Sequence, residues 1–392
     1  QRQQQLQQQQ QAAGQAPAAT SPAPGGVTPA PGAPAQPGST APAAPGAATP
    51  VPVQGQSREA ILAASPRVGI ETPRLKGSIN LLGGRVDDLV LTTYRETIQR
   101  NSPNVILFAP AGSPIDPVNH RHPFYAEFGF VPAAGQTVAV PNAQTVWTQQ
   151  GSGTLTPANP VTITWDNGQG LTFRRTFQID ANYMITVKDG VTNAGAAPVS
   201  LHPFGLISRH GLPQTSGYYI LHEGLIGVFG DKGLQEVGYA AIETARAQTF
   251  KARGAWLGIT DKYWAAALIP DQNVETDSSF KFFQSGTTKS FQTDFLSPAM
   301  TIAPGATSET TTRLFAGAKE VRIVDGYSDG LKIDRFDRLI DWGWFYFITK
   351  PLFVVMDWIF IQTGNFGIAI LLVTLLIKAL FFPLANKSYA SI

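Results

Sequence analysis

Phe366 to Leu384 is the most restrictive stretch of the chain, apolar throughout except for Thr374 and one charge, Lys378. As a helix it spans about 28 Å, close to the roughly 30 Å of a bilayer hydrocarbon core. Asn365 can cap its start and Pro383 marks its end. Lys387 then follows on what positive-inside reasoning makes the cytoplasmic side. No other stretch is so continuous. The run predicts a membrane span, with everything before it forming a large domain held at the opposite face.

The 392 residues suffice for one large or two ordinary domains plus tails. With 29 basic against 27 acidic side chains, the chain lacks the basic excess of a nucleic-acid binder, so no nucleic-acid partner is expected. Cysteine is absent, which excludes a disulfide framework, a thiolate metal site and a cysteine nucleophile. The chain starts at Gln1 without a charged segment followed by an apolar one, and stops at Ile392 close to the predicted span. Both ends therefore read as cut, with an anchor or signal expected upstream.

Four segments follow. Residues 1–56 are rich in Gln, Ala, Pro and Gly and bury too little apolar surface to order, so they read as a disordered linker. Residues 57–328 read as β. Val161–Trp165 alternates apolar and polar residues, Asp166-Asn-Gly168 supplies a turn, and the alternation resumes at Leu171–Phe173, Phe177–Ile179 and Tyr183–Val187. Ile79–Leu81 and Val86–Val90 flank a corner at Gly83-Gly84, where positive φ costs little. Further runs lie at Tyr218–Leu221, Ala255–Ile259, Trp264–Ile269, Phe280–Phe283 and Thr310–Phe315. The fold class is mainly β: a large antiparallel β-sandwich with no sustained helical periodicity.

Residues 329–363 change register. Phe336, Leu339, Ile340 and Phe347 fall near one helical face, and Trp342, Trp344, Tyr346 and Trp358 concentrate aromatics of the kind found at membrane interfaces. Lys350 and Asp357 would cost roughly 5–7 kcal/mol near mid-membrane. Pro351 interrupts the helix. This segment is expected along the interface as an amphipathic helix broken at Pro351, and residues 364–392 as the transmembrane helix.

At this point a resemblance becomes specific. Trp342-Gly-Trp-Phe-Tyr-Phe-Ile-Thr-Lys-Pro-Leu-Phe353, Gly364-Asn-Phe-Gly367, the apolar run and Pro383-Leu384 resemble the start of the shared core of YidC-type membrane protein insertases. Gly77-Ser-Ile-Asn-Leu-Leu-Gly-Gly-Arg-Val-Asp-Asp-Leu89, Val191-Thr-Asn-Ala-Gly195, Gly254-Ala-Trp-Leu-Gly258 and Tyr263-Trp-Ala-Ala-Ala-Leu-Ile-Pro270 resemble the periplasmic domain of the Gram-negative members. The similarity runs from about Arg67 to the last residue. It implies a mutarotase-like supersandwich in the periplasm, a multi-pass protein of the bacterial inner membrane, an upstream anchor and further spans after Ile392. It also implies nascent membrane proteins as substrates, with the Sec translocon, SecD and SecF and the lipid bilayer as partners, and neither cofactor nor catalysis.

In that family a positive residue on this span, usually arginine, faces a water-containing groove that attracts acidic parts of a substrate; here the matching position is Lys378. A mid-helix charge is expensive in lipid and usually faces a cavity or partner. The other reading is a snorkelling lysine, only about 9 Å of helix rise inside Leu384. Lysine in place of arginine keeps the charge and loses the bidentate fork.

Two rivals remain. One is a singly anchored sandwich that binds or processes carbohydrate, for which His120, His122, His202, His210 and His222 beside Glu127 and Glu223 are the available groups. They form no metal-ligand pattern. The other is a docking module, in which Phe124, Tyr125, Phe128 and Phe130 form either an exposed patch or ordinary core. No nucleotide motif appears, so insertion would be driven by transfer of apolar segments into lipid, assisted by the membrane potential.

Overall fold

Leu171–Ile179 shows how the alternation is used. Leu171, Phe173, Arg175, Phe177 and Ile179 are buried on one face, while Arg174 and Gln178 are exposed on the other. The structure, a computed structural model, describes residues 43–46, 56–116, 122–215 and 221–390. Most of the expected linker, His120 and residues 218–220 of one predicted strand lie outside the described residues.

The strands form two sheets in which every pairing of named strands is antiparallel. The ten-stranded sheet runs Arg67–Glu71, Leu75–Asn80, Arg85–Arg95, Phe124–Pro132, Val199–His210, Thr288–Leu296, Glu275–Ser285, Ala247–Arg253. Asn104–Phe108 also pairs with Arg85–Arg95, and Met300–Ile302 with Val199–His210. The nine-stranded sheet runs Leu234–Gly238, Gly224–Val228, Trp256–Thr260, Trp264–Ile269, Thr307–Ala318, Met184–Asn193, Leu171–Ile179, Val161–Asp166, Thr148–Gln150. Their facing sides share one apolar core that includes Ile79, Phe124, Phe128, Phe130, Phe173, Trp256, Phe291 and Phe315. The expected β-sandwich is therefore present. Phe124, Tyr125, Phe128 and Phe130 are all buried, so they form no exposed docking patch.

Among the described residues five α-helices accompany the sheets: α1 (Arg58–Ala63), α2 (Tyr239–Ala245), α3 (Val321–Gly330), α4 (Tyr346–Thr363) and α5 (Phe366–Ala390). The first three fall where the sequence reads as unbroken β. At 6 and 7 residues, α1 and α2 are too short to display a helical period. α3 buries only Val324 and Tyr327. The sandwich boundary expected at residue 328 thus falls inside a helix.

One buried charge ties the sheets together. Arg175 projects from the nine-stranded sheet, fully buried, and its Nε donates to Asp189 Oδ1 at 2.6 Å. Across the core its Nη1 and Nη2 donate to the backbone oxygens of Gly84 (3.1 Å) and Phe128 (2.8 Å). Gly84 has φ +64°, and a Cβ there would lie 2.9 Å from Trp147 Nε1 and 3.0 Å from Arg175 Nη1. The expected Gly83-Gly84 corner therefore also makes room for this guanidinium.

His210 sits on the opposite face of the ten-stranded sheet, within 3.2 Å of the Tyr125 hydroxyl and 3.3 Å of Ser208 Oγ. Burial, and then the charge of Arg85, push its pKa down from 6.5 to about 4. A depressed folded-state value means that the unfolded chain binds the proton more readily. Stability is therefore complete above pH 6.5 and drains away as pH falls through about 4, by up to about 3 kcal/mol. Denaturant midpoints at pH 7 and pH 4.5 check this. Wild type should lose about 2–3 kcal/mol more over that interval than His210→Gln, and equal losses would remove His210 from the acid response.

Candidate membrane-facing site

After α3 the chain first returns to the core. Ile333, Phe336 and Leu339 are buried, with the Phe336 ring centred 5.3 Å from Trp256 and 5.6 Å from Phe315. Trp256 Nε1 donates to Asp334 O at 3.0 Å. The segment 329–363, expected to be one interfacial helix, thus divides. Its first part completes the sandwich, and α4 begins only at Tyr346. No break occurs at Pro351, which lies inside α4. Its missing N–H leaves one carbonyl, that of Phe347, without an intrahelical partner, a loss that a single turn absorbs.

The four expected interface aromatics also divide. Trp342 Nε1 donates to Asp337 O (3.3 Å), and Thr349 Oγ1 donates to Trp342 O (2.7 Å). Tyr346 OH donates to Asp337 Oδ2 (3.1 Å) beneath the Arg338 guanidinium, 3.4 Å from the ring centroid. Both side chains are half-buried at the junction with the sandwich. Trp344 (98% exposed) and Trp358 (62% exposed) instead point outward.

The two charges that weigh against α4 as a span are both partnered. Lys350 Nζ lies 2.9 Å from Asp325 Oδ1 on α3 and 2.8 Å from Asp337 Oδ2. Asp357 Oδ2 accepts from Arg322 Nε (3.0 Å) and Nη2 (2.8 Å), also on α3. Lys350 and Asp357 are seven apart, hence on one face of α4, and that face meets the domain. The spacing was available in the sequence; the partners Arg322, Asp325 and Asp337 were not. The exposed Arg322–Asp357 pair contributes at most about 1 kcal/mol. The half-buried Lys350 bridge, with two carboxylates and a tyrosine on one of them, is the firmer tie.

Gly364, at φ 65° and ψ 6°, ends α4 in the left-handed conformation that glycine adopts freely. Asn365 Oδ1 then accepts from Gly367 N (2.9 Å) and Ile368 N (3.3 Å), capping α5 as expected. The chain reverses, and Leu352, Met356 and Ile359 of α4 pack with Ala369, Val373 and Ile377 of α5. The two sets lie at matching distances from the turn, so the helices form a hairpin.

α5 does not stop at Pro383 but runs to Ala390. Only the Ala379 carbonyl loses its donor there, and proline within such apolar helices is tolerated when neighbours resatisfy the backbone. Residues 366–383 are long and apolar enough to cross a bilayer, and only 11% of that window is buried inside the protein. At 100° per residue, Lys378 lies roughly 140° around α5 from the middle of its packed stripe. Thr374, one turn earlier, shares this face and donates to Ile370 O at 2.7 Å. Lys378 and Thr374 are both exposed. The only polar side chains of the apolar run therefore form one stripe turned away from α4.

The four described histidines do not converge. His202 Nδ1 is 2.9 Å from Ser297 O, and His222 Nε2 is 2.9 Å from Leu225 O. Glu127 is held by Arg85 at 2.6 Å. His122 lines a cleft of about 690 Å³ with Arg209, Glu223, Asp261 and Trp264. There Arg209 is committed to Asp261 by two 2.6 Å bonds and to the Tyr239 hydroxyl at 2.9 Å. Among the described residues no three His, Asp or Glu side chains gather as a metal site.

Residues 67–355 match the family model described as the YidC periplasmic domain. The membrane protein insertase YidC of Nitrobacter hamburgensis is 56% identical over 344 residues, which cover 86% of this chain and 55% of that protein. The protein of the same name from Rhizobium meliloti is 48% identical over 359 residues, 91% of this chain and 58% of that protein. The chain thus spans somewhat over half the length of the curated relatives it matches. Among solved structures, a galactose mutarotase-like protein from Lactobacillus casei aligns with a TM-score of 0.41 at 10% identity, covering 64% of this chain and 100% of that one.

Proposed function

Because residues 67–355 match its model, the chain belongs to the YidC periplasmic domain family, and on that premise we propose that it is the periplasmic and first membrane-crossing part of a membrane protein insertase. In this reading the sandwich stands in the periplasm of a bacterial inner-membrane protein with further spans. α5 crosses the bilayer, and α4 opens from it at Gly364 to lie along the periplasmic surface, with Trp344 and Trp358 at headgroup level where amphipathic rings are favoured. Nascent membrane proteins are the substrates, handled alone or with the Sec translocon and its SecD and SecF partners.

The polar stripe of Thr374 and Lys378, on the face of α5 that α4 leaves open, carries the proposal. An ammonium near mid-helix costs about 2.5–3.5 kcal/mol in lipid, so it belongs against water or a partner. Facing a hydrated groove closed by later spans, Lys378 attracts acidic parts of a substrate's extracytoplasmic segment and shortens the apolar path they cross. The groove supplies electrostatics. Burial of the substrate's own apolar residues in lipid supplies the driving force, and the membrane potential adds about 2.3 kcal/mol per charge per 100 mV. No nucleotide is hydrolysed in this scheme.

Lys378→Arg should preserve insertion of single-span substrates with acidic periplasmic tails, whereas Lys378→Ala lowers it several-fold and Lys378→Glu lowers it further. The assay is complementation of an insertase-depleted strain with substrate protease protection as readout. Equal insertion by the alanine variant would leave Lys378 as a snorkelling residue only.

A further inference from the structure

The outer face of the ten-stranded sheet carries an apolar seat that is separate from the main core. Tyr125, Phe204, Leu206 and Leu296 form it, with Ala111 and Val131 at its margin. Adjacent registers bring these residues together, since Phe204 pairs with Leu296 on one side and Ser208 with Tyr125 on the other. A four-residue piece of the low-complexity tail, residues 43–46, lies in it. Ala44 is only 7% exposed and belongs to the same cluster.

Three contacts read three successive residues. The Ala44 methyl fills the apolar seat. The Pro45 carbonyl accepts a 3.0 Å hydrogen bond from Nε2 of Gln292, a fully buried side chain that also donates to Asp294 Oδ2 at 2.8 Å. Asp294 is itself fixed by Ser279 Oγ (2.7 Å) and Lys281 Nζ (3.0 Å), so the carboxamide is held in position. Gly46 passes against Phe283, where an added Cβ would lie 3.3 Å from the ring. The seat therefore favours a small residue, then a residue whose carbonyl reaches Gln292, then glycine. Proline restricts the backbone at the central position and lowers the ordering cost. The same triplet, Ala-Pro-Gly, occurs in the tail at 23–25 and 30–32 as well as at 44–46.

We propose that this face is a binding site for an Ala-Pro-Gly peptide, occupied in cis by Ala44-Pro45-Gly46. One methyl and one hydrogen bond give weak affinity on their own. A tether of about ten residues supplies an effective concentration of order millimolar, which keeps such a ligand docked. The site is independent of the insertase reading, and its test leaves that reading untouched.

The test uses the full chain in detergent and the side-chain amide resonance of Gln292. The variant Ala23→Glu, Ala30→Glu, Ala44→Glu places a carboxylate in every copy of the triplet without altering the sandwich. Its Gln292 resonance should move, and the peptide Ala-Pro-Ala-Ala-Pro-Gly-Ala-Ala should restore it at up to ~10 mM, while wild type stays unresponsive because its own tail competes. A peptide with valine in place of the glycine should restore it at least tenfold less well. An unmoved Gln292 resonance in the variant, no restoration by the peptide, or equal restoration by the valine peptide would each overturn the proposal.

Discussion

Arg175→Met is expected to lower the unfolding free energy of the sandwich by about 3–5 kcal/mol, the penalty for breaking a buried ion pair from one side. The guanidinium is fully buried, and its loss strands three acceptors at once: Asp189 Oδ1 and the carbonyls of Gly84 and Phe128. Burial already pushes the Asp189 pKa upward against the pull of Arg175, so the abandoned carboxyl would take up a proton rather than remain charged. Trp147 and Phe128, whose rings lie 5.0 and 5.7 Å from the guanidinium carbon, would also lose their cation. A double variant, Arg175→Met with Asp189→Leu, removes both charges and should recover a large part of the loss, because apolar pairs of similar volume replace buried ion pairs at little cost. Denaturant midpoints of the two variants decide the matter. A single-variant loss below about 1 kcal/mol, or a double variant no better than the single, would show that the sheets do not depend on this bridge.

Period-2 alternation made most of this architecture readable. Trp264–Ile269, a continuous apolar run, is likewise one strand, and the alternating runs at Leu171–Phe173 and Phe177–Ile179 are two parts of one strand. The alternation obscured that join because its fifth position is an arginine. A charge at an inward position reads as a strand end unless its partner is known, and Asp189 lies on the next strand. The short helices were invisible for a different reason, since one or two turns carry no period. Proline misled twice. Pro351 and Pro383 each remove one donor, and each helix continues because its other bonds remain. The candidate site is half legible in the sequence. Lys378 stands out as the one charge in an apolar run, one turn from Thr374, but that the two lie off the stripe packed on α4 needed the hairpin. Trp342 and Tyr346 carry the composition of an interface, yet they are partly occupied in holding the junction through Asp337.

The glycines of the recognised motifs have a structural reason that no pattern displays, and it sets the second large effect. Gly258 lies on Trp256–Thr260, between two partner strands, and a Cβ there would fall 2.1 Å from Ala266 O and 2.8 Å from Ala267 Cα. At Gly77 it would fall 1.9 Å from Asp88 O, beside the bulge where the register of Leu75–Asn80 shifts between Ser78 and Ile79. In both cases the obstacle is backbone, which cannot rotate aside as a side chain can. The strands must separate and surrender ladder hydrogen bonds. Gly258→Ala and Gly77→Ala are each expected to cost about 3 kcal/mol, the upper part of the usual range for overpacking. Gly326→Ala, on α3 with nothing within 4 Å of its would-be Cβ, is the control and should be neutral or stabilising by up to about 1 kcal/mol. Thermal unfolding measures all three. In cells the first two variants should also be several-fold less abundant, since marginal stability controls steady-state level. If Gly258→Ala unfolded within a degree or two of wild type, the close strand approach would have to be wrong, and the family motif at this position would need a functional explanation in place of a steric one.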